Sequence, residues 1–481
     1  MSSNWPVVRI DDIKADRKNA ITIGPFGSRM KSDCYVESGI AVIRGTNLGS
    51  TSHFINDFVY ITEKKADELA SCNVYKNDLV FPHRGSIGEV GIVEHEQRYV
   101  LSSSLMKLTC AADKACPKFI YYFFKSSTGR HELLKNASQV GTPGIGQPLS
   151  SLKSIELSLP PLKIQENIVK ILSGLDEKIH INQQINQTLE QMAQVLFKSW
   201  FVDFEPVKAK IAVLEAGGSQ EDATRAAMTA ISGKDAHALA VFEREHPEQY
   251  AELKATAELF PSAMRESELG EIPEGWYQTL LSELTGFLNG YAFKSKDWRE
   301  TGFPVVKIGS VKPGFVDLKN CSYIDGIGIK NLERFEVFSG DILVGMTGYP
   351  GETGIIPETM QRVYLNQRVG KFTPLFEFLY SYVYTLVRNN NFKIYVSGQA
   401  HGSAQANISS NDILQYPVVK PNDALLRAFD VVVRNLISLK LKNQAQIQSL
   451  EQLRDTLLPK LLSGEITLPE AEQAVSEVEN V

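Results

Sequence analysis

The chain has 481 residues, 43% hydrophobic and 22% charged, the balance of an ordinary globular protein with room for two or three cores. No run of about 18 apolar residues occurs, so no membrane span is expected, and MSSNWPVVRIDD at the N-terminus lacks the pattern of a secretory signal. The net charge of −6 argues against nucleic acid as a partner of the whole surface, but the charge is spread unevenly.

Residues 1–160 carry 19 Lys and Arg against 16 Asp and Glu, and residues 276–424 carry 14 against 13. Between them, residues 202–275 carry 7 against 15. Two mildly basic lobes are therefore joined by an acidic connector, which leaves room for a local basic face. The five cysteines are scattered, odd in number and never spaced CxxC, so reduced thiols in a cytoplasmic protein are expected.

In chain order, residues 1–160 read as a first domain. AVIRG (41–45), DLVFP (78–82) and EVGIVE (89–94) are short β-branched runs punctuated by glycine, hence strands. Gly85, Gly88 and Gly91 suit a turn with positive φ or a close backbone approach. KFIYYFFKSSTGRHELLK (118–135) has helical spacing.

Residues 161–204 read as one long helix. Ile168, Ile171, Leu175, Lys178, Asn182, Ile185, Leu189, Met192 and Leu196 recur at alternating steps of three and four. Residues 205–265 are Ala- and Glu-rich, a helical insert or connector that could cover the helices or contact a partner. Residues 266–421 read as a second domain, with PVVKIG (304–309), DILVG (341–345) and TGIIPE (353–358) as strands and 374–389 as a helix. Residues 422–466 form a second long helix, with Phe429, Val432, Leu436, Leu439, Asn443, Gln446, Leu450, Leu453 and Leu457 as its stripe. Residues 467–481 are an acidic tail.

The second half repeats the first. Asp78 and Asp341 are 263 positions apart (341 − 78), and this offset also pairs Gly85, Gly88, Glu89, Gly91 and Ile92 with Gly348, Gly351, Glu352, Gly354 and Ile355. It pairs Lys31, Ser32, Glu37, Gly39 and Val42 with Lys294, Ser295, Glu300, Gly302 and Val305. With a slip of one residue, YVLSSSLMKL (99–108) lies over VYLNQRVGKF (363–372). The helices repeat as well, QTLEQM (187–192) over QSLEQL (448–453).

The reading is an α+β protein with two homologous α/β domains, and two heptad stripes in one chain most simply pair with each other. Asn182 and Asn443 interrupt both seams at the same heptad position. Either they face each other near mid-helix and fix the register, or both are solvated.

Signs of an enzyme are missing. An adenine methyltransferase needs a tetrad of the [DN]PP[FY] type for the flipped base, and PPLK (160–163), the one PP, lacks both flanks. ISGKD (231–235) fails as a P-loop, and HExxH is absent. His131, Glu132 and His246 read as surface residues. His83 and His401 sit in repeated loops, where a ligand contact suits them better than catalysis.

Several motifs together resemble the specificity subunits of type I restriction–modification enzymes. FKSWFVDFEP (197–206), after a helix opening PPLKIQENI (160–168), is similar to their central conserved region. LRDTLLPKLLSGEI (453–466) is similar to their distal conserved region, and SELGEIPEGW (267–276) to the approach to their second target-recognition domain. The Asp with three spaced glycines occurs in both of their recognition domains. The likeness spans nearly the whole chain, excepting 207–262. One departure is VVKPNDALLRAF (418–429), which lacks an equivalent of Gln165 at the start of the second helix.

This resemblance implies two target-recognition domains separated by an antiparallel coiled-coil pair with pseudo-two-fold symmetry. Each domain would read one half of a bipartite, asymmetric site in double-stranded DNA. The subunit itself would be non-catalytic and bind no cofactor or metal. It would position two modification subunits, which bind S-adenosylmethionine and methylate adenine N6, and two restriction subunits, which use ATP and Mg. The helices would act as a ruler for the spacer between half-sites. The competing reading is a stand-alone duplicated DNA-binding module without active partners.

Phosphate contacts need Lys, Arg, Ser, Thr or backbone N–H groups, and base readout needs polar side chains at groove depth. The repeated loops supply the candidates. In the first domain these are Ser28, Arg29, Lys31, Arg44, Asn47, His83, Arg84, Ser86, Ser103, Thr142 and Gln147. In the second they are Tyr291, Lys294, Lys307, Ser310, Thr347, Tyr349, Asn366, Gln367, Arg368, His401, Ser403 and Gln405. Arg84 and Arg368 suit guanine, and Gln367 and Gln405 suit adenine. Lys31 and Lys294 are shared by both copies, which suits phosphate contact. The differing loops should encode different half-sites.

Overall fold

The computed structural model describes residues 5–26, 29–49, 51–55, 57–138, 143–268, 270–319, 321–401 and 406–479. It divides into two compact units, 1–181 with 447–481, and 182–446. Each contains one α/β domain. Two long helices, α1 (Leu162–Phe201) and α2 (Asp423–Ser463), contribute a segment to each unit.

In the first unit, a five-stranded sheet has the order Tyr35–Val36, Val59–Ile61, Ile40–Ile43, Tyr99–Leu101, Asn73–Val74. Its central pair is parallel, with Ala41 opposite Tyr99 and Val42 opposite Val100. A four-stranded antiparallel sheet has the order Ile21–Ile23, Leu105–Leu108, Leu79–Pro82, Gly91–Ile92. Most of these inner strands are buried on both faces, which explains continuous apolar runs rather than alternation. The helix Pro117–Lys125 opens on a proline and buries Phe119 to Phe124. A last pair, Val7–Arg9 with Glu156–Ser158, brings the two ends of the domain together.

The start of α1 is pinned by Gln165, which is fully buried. Its amide donates to Pro160 O at 2.7 Å and its carbonyl accepts from Cys116 N at 2.8 Å. Ile168, Leu172, Leu175 and Ile179 of α1 share one core with Ile447, Leu450, Leu457 and Leu461 of α2. The acidic C-terminal segment forms a helix, Leu468–Glu479, whose Ala471 is fully buried in that same core.

In the second unit both sheets recur. The five strands are Trp298–Arg299, Ser322–Ile324, Phe303–Val306, Val363–Leu365 and Glu336–Val337, in the same spatial order. The four are Thr285–Asn289, Val369–Pro374, Ile342–Gly345 and Thr353–Ile355. Val305 pairs in parallel with Tyr364, so the one-residue slip seen in the sequence is also the register of the sheet. Gly354 is required by packing: a Cβ there would lie 2.4 Å from Phe315 O. At the start of α2, where no Gln165 equivalent exists, Asn422 caps the helix by accepting Leu425 N at 2.8 Å.

Four helices build the insert: Glu205–Glu215, Gln220–Ser232, Ala236–Glu245 and Pro247–Glu258. Ser219 and Asp222 form a capping box, and Gly233 ends the second helix at φ +67°. The insert is rooted in an aromatic cluster. FKSWFVDF packs inward: Phe197, Trp200, Phe201 and Phe204 lie against Phe260, Trp276, Tyr382 and Phe429. Beside them Lys210, 2% exposed, donates to Ala257 O at 2.9 Å and Phe260 O at 2.6 Å, satisfying carbonyls at a helix end.

The heptad stripes need correction in this unit. Ile185, Met192, Val432 and Leu439 were expected in the seam, yet they are 41%, 48%, 44% and 51% exposed. Asn186, Ala193, Val433, Ile437 and Lys440 are buried instead. A straight helix drifts against a seven-residue repeat, and here α1 also packs on the domain helix Tyr380–Arg388. Asn182, 7% exposed, donates to Gln446 Oε1 at 2.8 Å, and Asn443 is half-buried one turn away.

Asn186 is buried with neither end of its amide hydrogen-bonded among the described residues. Leucine would exchange an unmet polar group for apolar burial. Asn186→Leu is expected to raise stability by about 1–2 kcal/mol, read as a higher urea midpoint at unchanged m-value. A lower midpoint would mean the amide is satisfied in solution.

Candidate nucleic-acid interface

Strand ends place the repeated loops. In the first domain Ile43, Pro82 and Leu101 each hand the chain to a loop, and backbone bonds stitch those loops together. Ser102 N donates to Ile43 O, His83 N to Ser104 O, Gly85 N to Pro143 O and Ile145 N to His83 O, all at 2.9 Å. Gly24 N donates to Leu105 O at 2.7 Å and ties the end of the strand Ile21–Ile23 to the same cluster. The second domain repeats the stitching. Asn366 N donates to Val306 O at 3.1 Å, Met346 N to Arg368 O at 3.0 Å and Gly348 N to Ala406 O at 2.9 Å. Tyr291 N donates to Leu365 O at 2.8 Å. One framework thus carries two sets of side chains.

The candidates divide by exposure. Arg29, Lys31, Arg84, Ser86, Ser103 and Gln147 are exposed in the first domain. Lys294, Tyr349, Gln367, Arg368 and His401 are exposed in the second. Arg44, His83, Tyr291, Lys307 and Thr347 are half-buried, while Asn47, Ser310 and Asn366 are buried. Ser28, Thr142, Ser403 and Gln405 lie outside the described residues.

The buried polar groups build the loops. Asn47 accepts from Arg44 N at 2.8 Å and donates to Ile55 O and Asp57 O at 2.9 and 3.0 Å. Arg44 is itself engaged, reaching Asp57 Oδ2 at 3.2 Å. Lys307, its equivalent, donates to Ser322 Oγ at 2.6 Å and lies 3.7 Å above the Trp298 ring. Burial lowers the Lys307 pKa. Burial also lowers that of His83, whose Nε2 sits 3.1 Å from Ser103 O, and the neighbouring Arg84 lowers it further. Because a carbonyl oxygen only accepts, His83 Nε2 is the donor in this contact and the ring is fixed within the loop. By contrast, no ion pair engages the Arg84 or Arg368 guanidinium, or the Lys31 or Lys294 ammonium, among the described residues.

Two charged networks were not foreseen from the sequence. In the first unit Arg454 of α2 reaches Asp176 of α1 at 2.8 Å, and Tyr122 of the domain donates to Asp176 at 2.7 Å. In the second unit Glu190 of α1 takes Lys440 of α2 at 2.6 Å, Arg388 at 3.0 Å and the Tyr384 hydroxyl. The repeated glutamate beside the glycines is structural too. Glu89 pairs with Arg130 at 2.8 Å, and Glu352 with Lys393 at 2.7 Å. Among the described residues no cluster of three His, Cys, Asp or Glu could hold a metal. Nor is any helix long and apolar enough to cross a membrane.

Such a twice-built loop platform, carried on long paired helices, defines a duplicated recognition protein. Comparison with known proteins agrees. Residues 3–191 and 273–447 match the family described as type I restriction modification DNA specificity domain. The HindI specificity subunit of Haemophilus influenzae is 30% identical over 405 residues, covering 82% of this chain and 87% of that one. The MjaIX specificity subunit of Methanocaldococcus jannaschii is 24% identical over 416 residues, covering 85% and 82%. A crystal structure of the S subunit from M. genitalium aligns with TM-score 0.47 at 16% identity, over 96% of this chain and 97% of that one. The chain belongs to the specificity subunits of type I restriction–modification systems, the non-catalytic members of those enzymes.

Proposed function

We propose that the chain reads a bipartite, asymmetric sequence in double-stranded DNA, one half through residues 1–160 and the other through 266–421. The observation that carries this reading is the repeated loop framework with different exposed side chains, Arg84, Ser86 and Ser103 against Tyr349, Gln367 and Arg368. A common scaffold supplies the same approach to the duplex, and the variable side chains supply different letters. Lys31 and Lys294 hold phosphates at equivalent places. Two modification subunits with S-adenosylmethionine, and two restriction subunits with ATP and Mg, complete the complex. The exposed apolar side chains of Ile185, Met192 and Val195 on α1, and of Val432 and Leu439 on α2, support docking of the modification subunits there.

Long-read mapping of N6-methyladenine, in cells with and without the chain, tests the proposal. A split motif that vanishes on deletion is the expected result. An unchanged methylation map would leave a DNA-binding module with no working methyltransferase.

A further inference from the structure

We infer that Tyr349 is a wedge that enters the base stack in the half-site read by the second domain, and that the first domain has no such wedge. The inference rests on reading residues 266–421 as a DNA-recognition domain.

Tyr349 is 81% exposed, and neither its ring nor its hydroxyl has a partner among the described residues. The turn beneath it is held firmly. Gly348 and Gly351 take φ values of +78° and +86°, conformations that suit glycine, and Pro350 between them is buried. Gly348 N donates to Ala406 O at 2.9 Å, Tyr349 N to Thr347 O at 2.9 Å, Gly351 N to Gly345 O at 3.0 Å and Glu352 N to Tyr349 O at 3.3 Å. Ser397 Oγ donates to Pro350 O at 3.4 Å, and Lys393 anchors the Glu352 carboxylate at 2.7 Å. A rigid turn therefore presents a free aromatic ring outward instead of folding it onto the domain.

The ring stands in the right company. Met346 N donates to Arg368 O, which sets the turn against the loop of Gln367 and Arg368. Cationic and amide groups there hold the duplex, while the ring has only a π-face and one hydroxyl to offer. Tyrosine has few torsions to freeze, so a preorganised ring gains most from burial against a flat partner. A base supplies that face, and inserted side chains unstack and kink the duplex at the step they enter. The equivalent position in the first domain is Ser86 (349 − 263), too short to enter the stack. Distortion is therefore confined to one half-site. It favours a pyrimidine–purine step there, because those steps open most easily.

The test uses the chain assembled with its modification subunits and a duplex carrying the mapped target. 2-Aminopurine is placed in turn at each position of the half-site altered by Arg368→Ala. Apart from the adenine that the modification subunit flips, fluorescence should rise on binding at one step with the wild type and with Tyr349→Phe, and should not rise at that step with Tyr349→Ser. Binding by Tyr349→Ser should weaken roughly tenfold to a hundredfold, the range for loss of one base–aromatic stack. A Tyr349→Ser complex with full affinity and an unchanged fluorescence rise overturns the wedge while leaving DNA recognition intact. So does one that merely sheds its modification subunits. A wild-type complex that shows no preference for the mapped duplex overturns the recognition reading itself, and the wedge with it.

Discussion

Glu190→Ala is expected to destabilise the 182–446 unit by about 3–5 kcal/mol, the usual cost of removing one partner of a buried ion pair. Lys440 is 8% exposed and would be left with Tyr384 at 2.9 Å but no counter-charge. Arg388 would lose its link to α1 and keep Glu352 at 3.7 Å. The same carboxylate gives a pH signature. Burial alone would raise the Glu190 pKa, but the Lys440 ammonium and the Arg388 guanidinium outweigh it and hold the group at about 2, against 4.5 for an ordinary glutamate. Between those values the unfolded chain binds a proton that the folded unit refuses. The stabilisation is therefore complete above pH 4.5 and drains away as the pH falls toward 2. Trp200, Trp276 and Trp298 all lie in this unit, against Trp5 in the other, so tryptophan fluorescence under denaturant reports the change. The wild type should lose stability relative to Glu190→Gln as the pH drops from 5 to 3. Parallel pH profiles for the two would show that Glu190 carries no charge coupling.

The network explains what could be read in the sequence and what could not. Strand positions were legible because duplication repeats them: Ile40–Ile43 recurs as Phe303–Val306 and Leu79–Pro82 as Ile342–Gly345, both at an offset of 263 (303 − 40 and 342 − 79). Loop clusters followed, since they hang from those strands. The seam was legible where the stripe is apolar, at Ile168, Ile171 and Leu175, while the buried Asp176 beside them was not. Beyond Asn182 the buried face shifts by about one residue, from Ile185 to Asn186 and from Met192 to Ala193, and Lys440 enters it with Glu190. A glutamate at position 190 and a lysine at 440 look like solvated helix residues until a domain helix bearing Tyr384 is laid across them. The same ambiguity affects the loops. Asn47, Ser310 and Asn366 belong to residue types that read bases, yet they face inward. Residue type alone cannot separate a group that builds a loop from one that works at its surface, because both jobs need hydrogen-bonding side chains.

Exposure and unspent charge make Arg84 and Arg368 the sharpest functional test. Each guanidinium is exposed and unpaired among the described residues, whereas Arg44 and Lys307 are already engaged within their domains. A bidentate contact to a guanine is worth about 1–3 kcal/mol of discrimination. Arg84→Ala should therefore relax one position in one half of the methylated motif, at a cost of about tenfold to a hundredfold in binding, and leave the other half intact. Arg368→Ala should do the reverse. Lys31→Ala and Lys294→Ala should weaken binding to all sequences alike and lower the salt dependence by about one counterion each. Methylation maps of the four variants, with binding titrations of the assembled complexes across salt, separate these outcomes. If Arg84→Ala weakened both halves equally and also reduced the salt slope, Arg84 would be a phosphate clamp. Readout in the first domain would then fall to Ser86, Ser103 and Gln147, whose shorter or neutral side chains cannot make the charged fork to guanine.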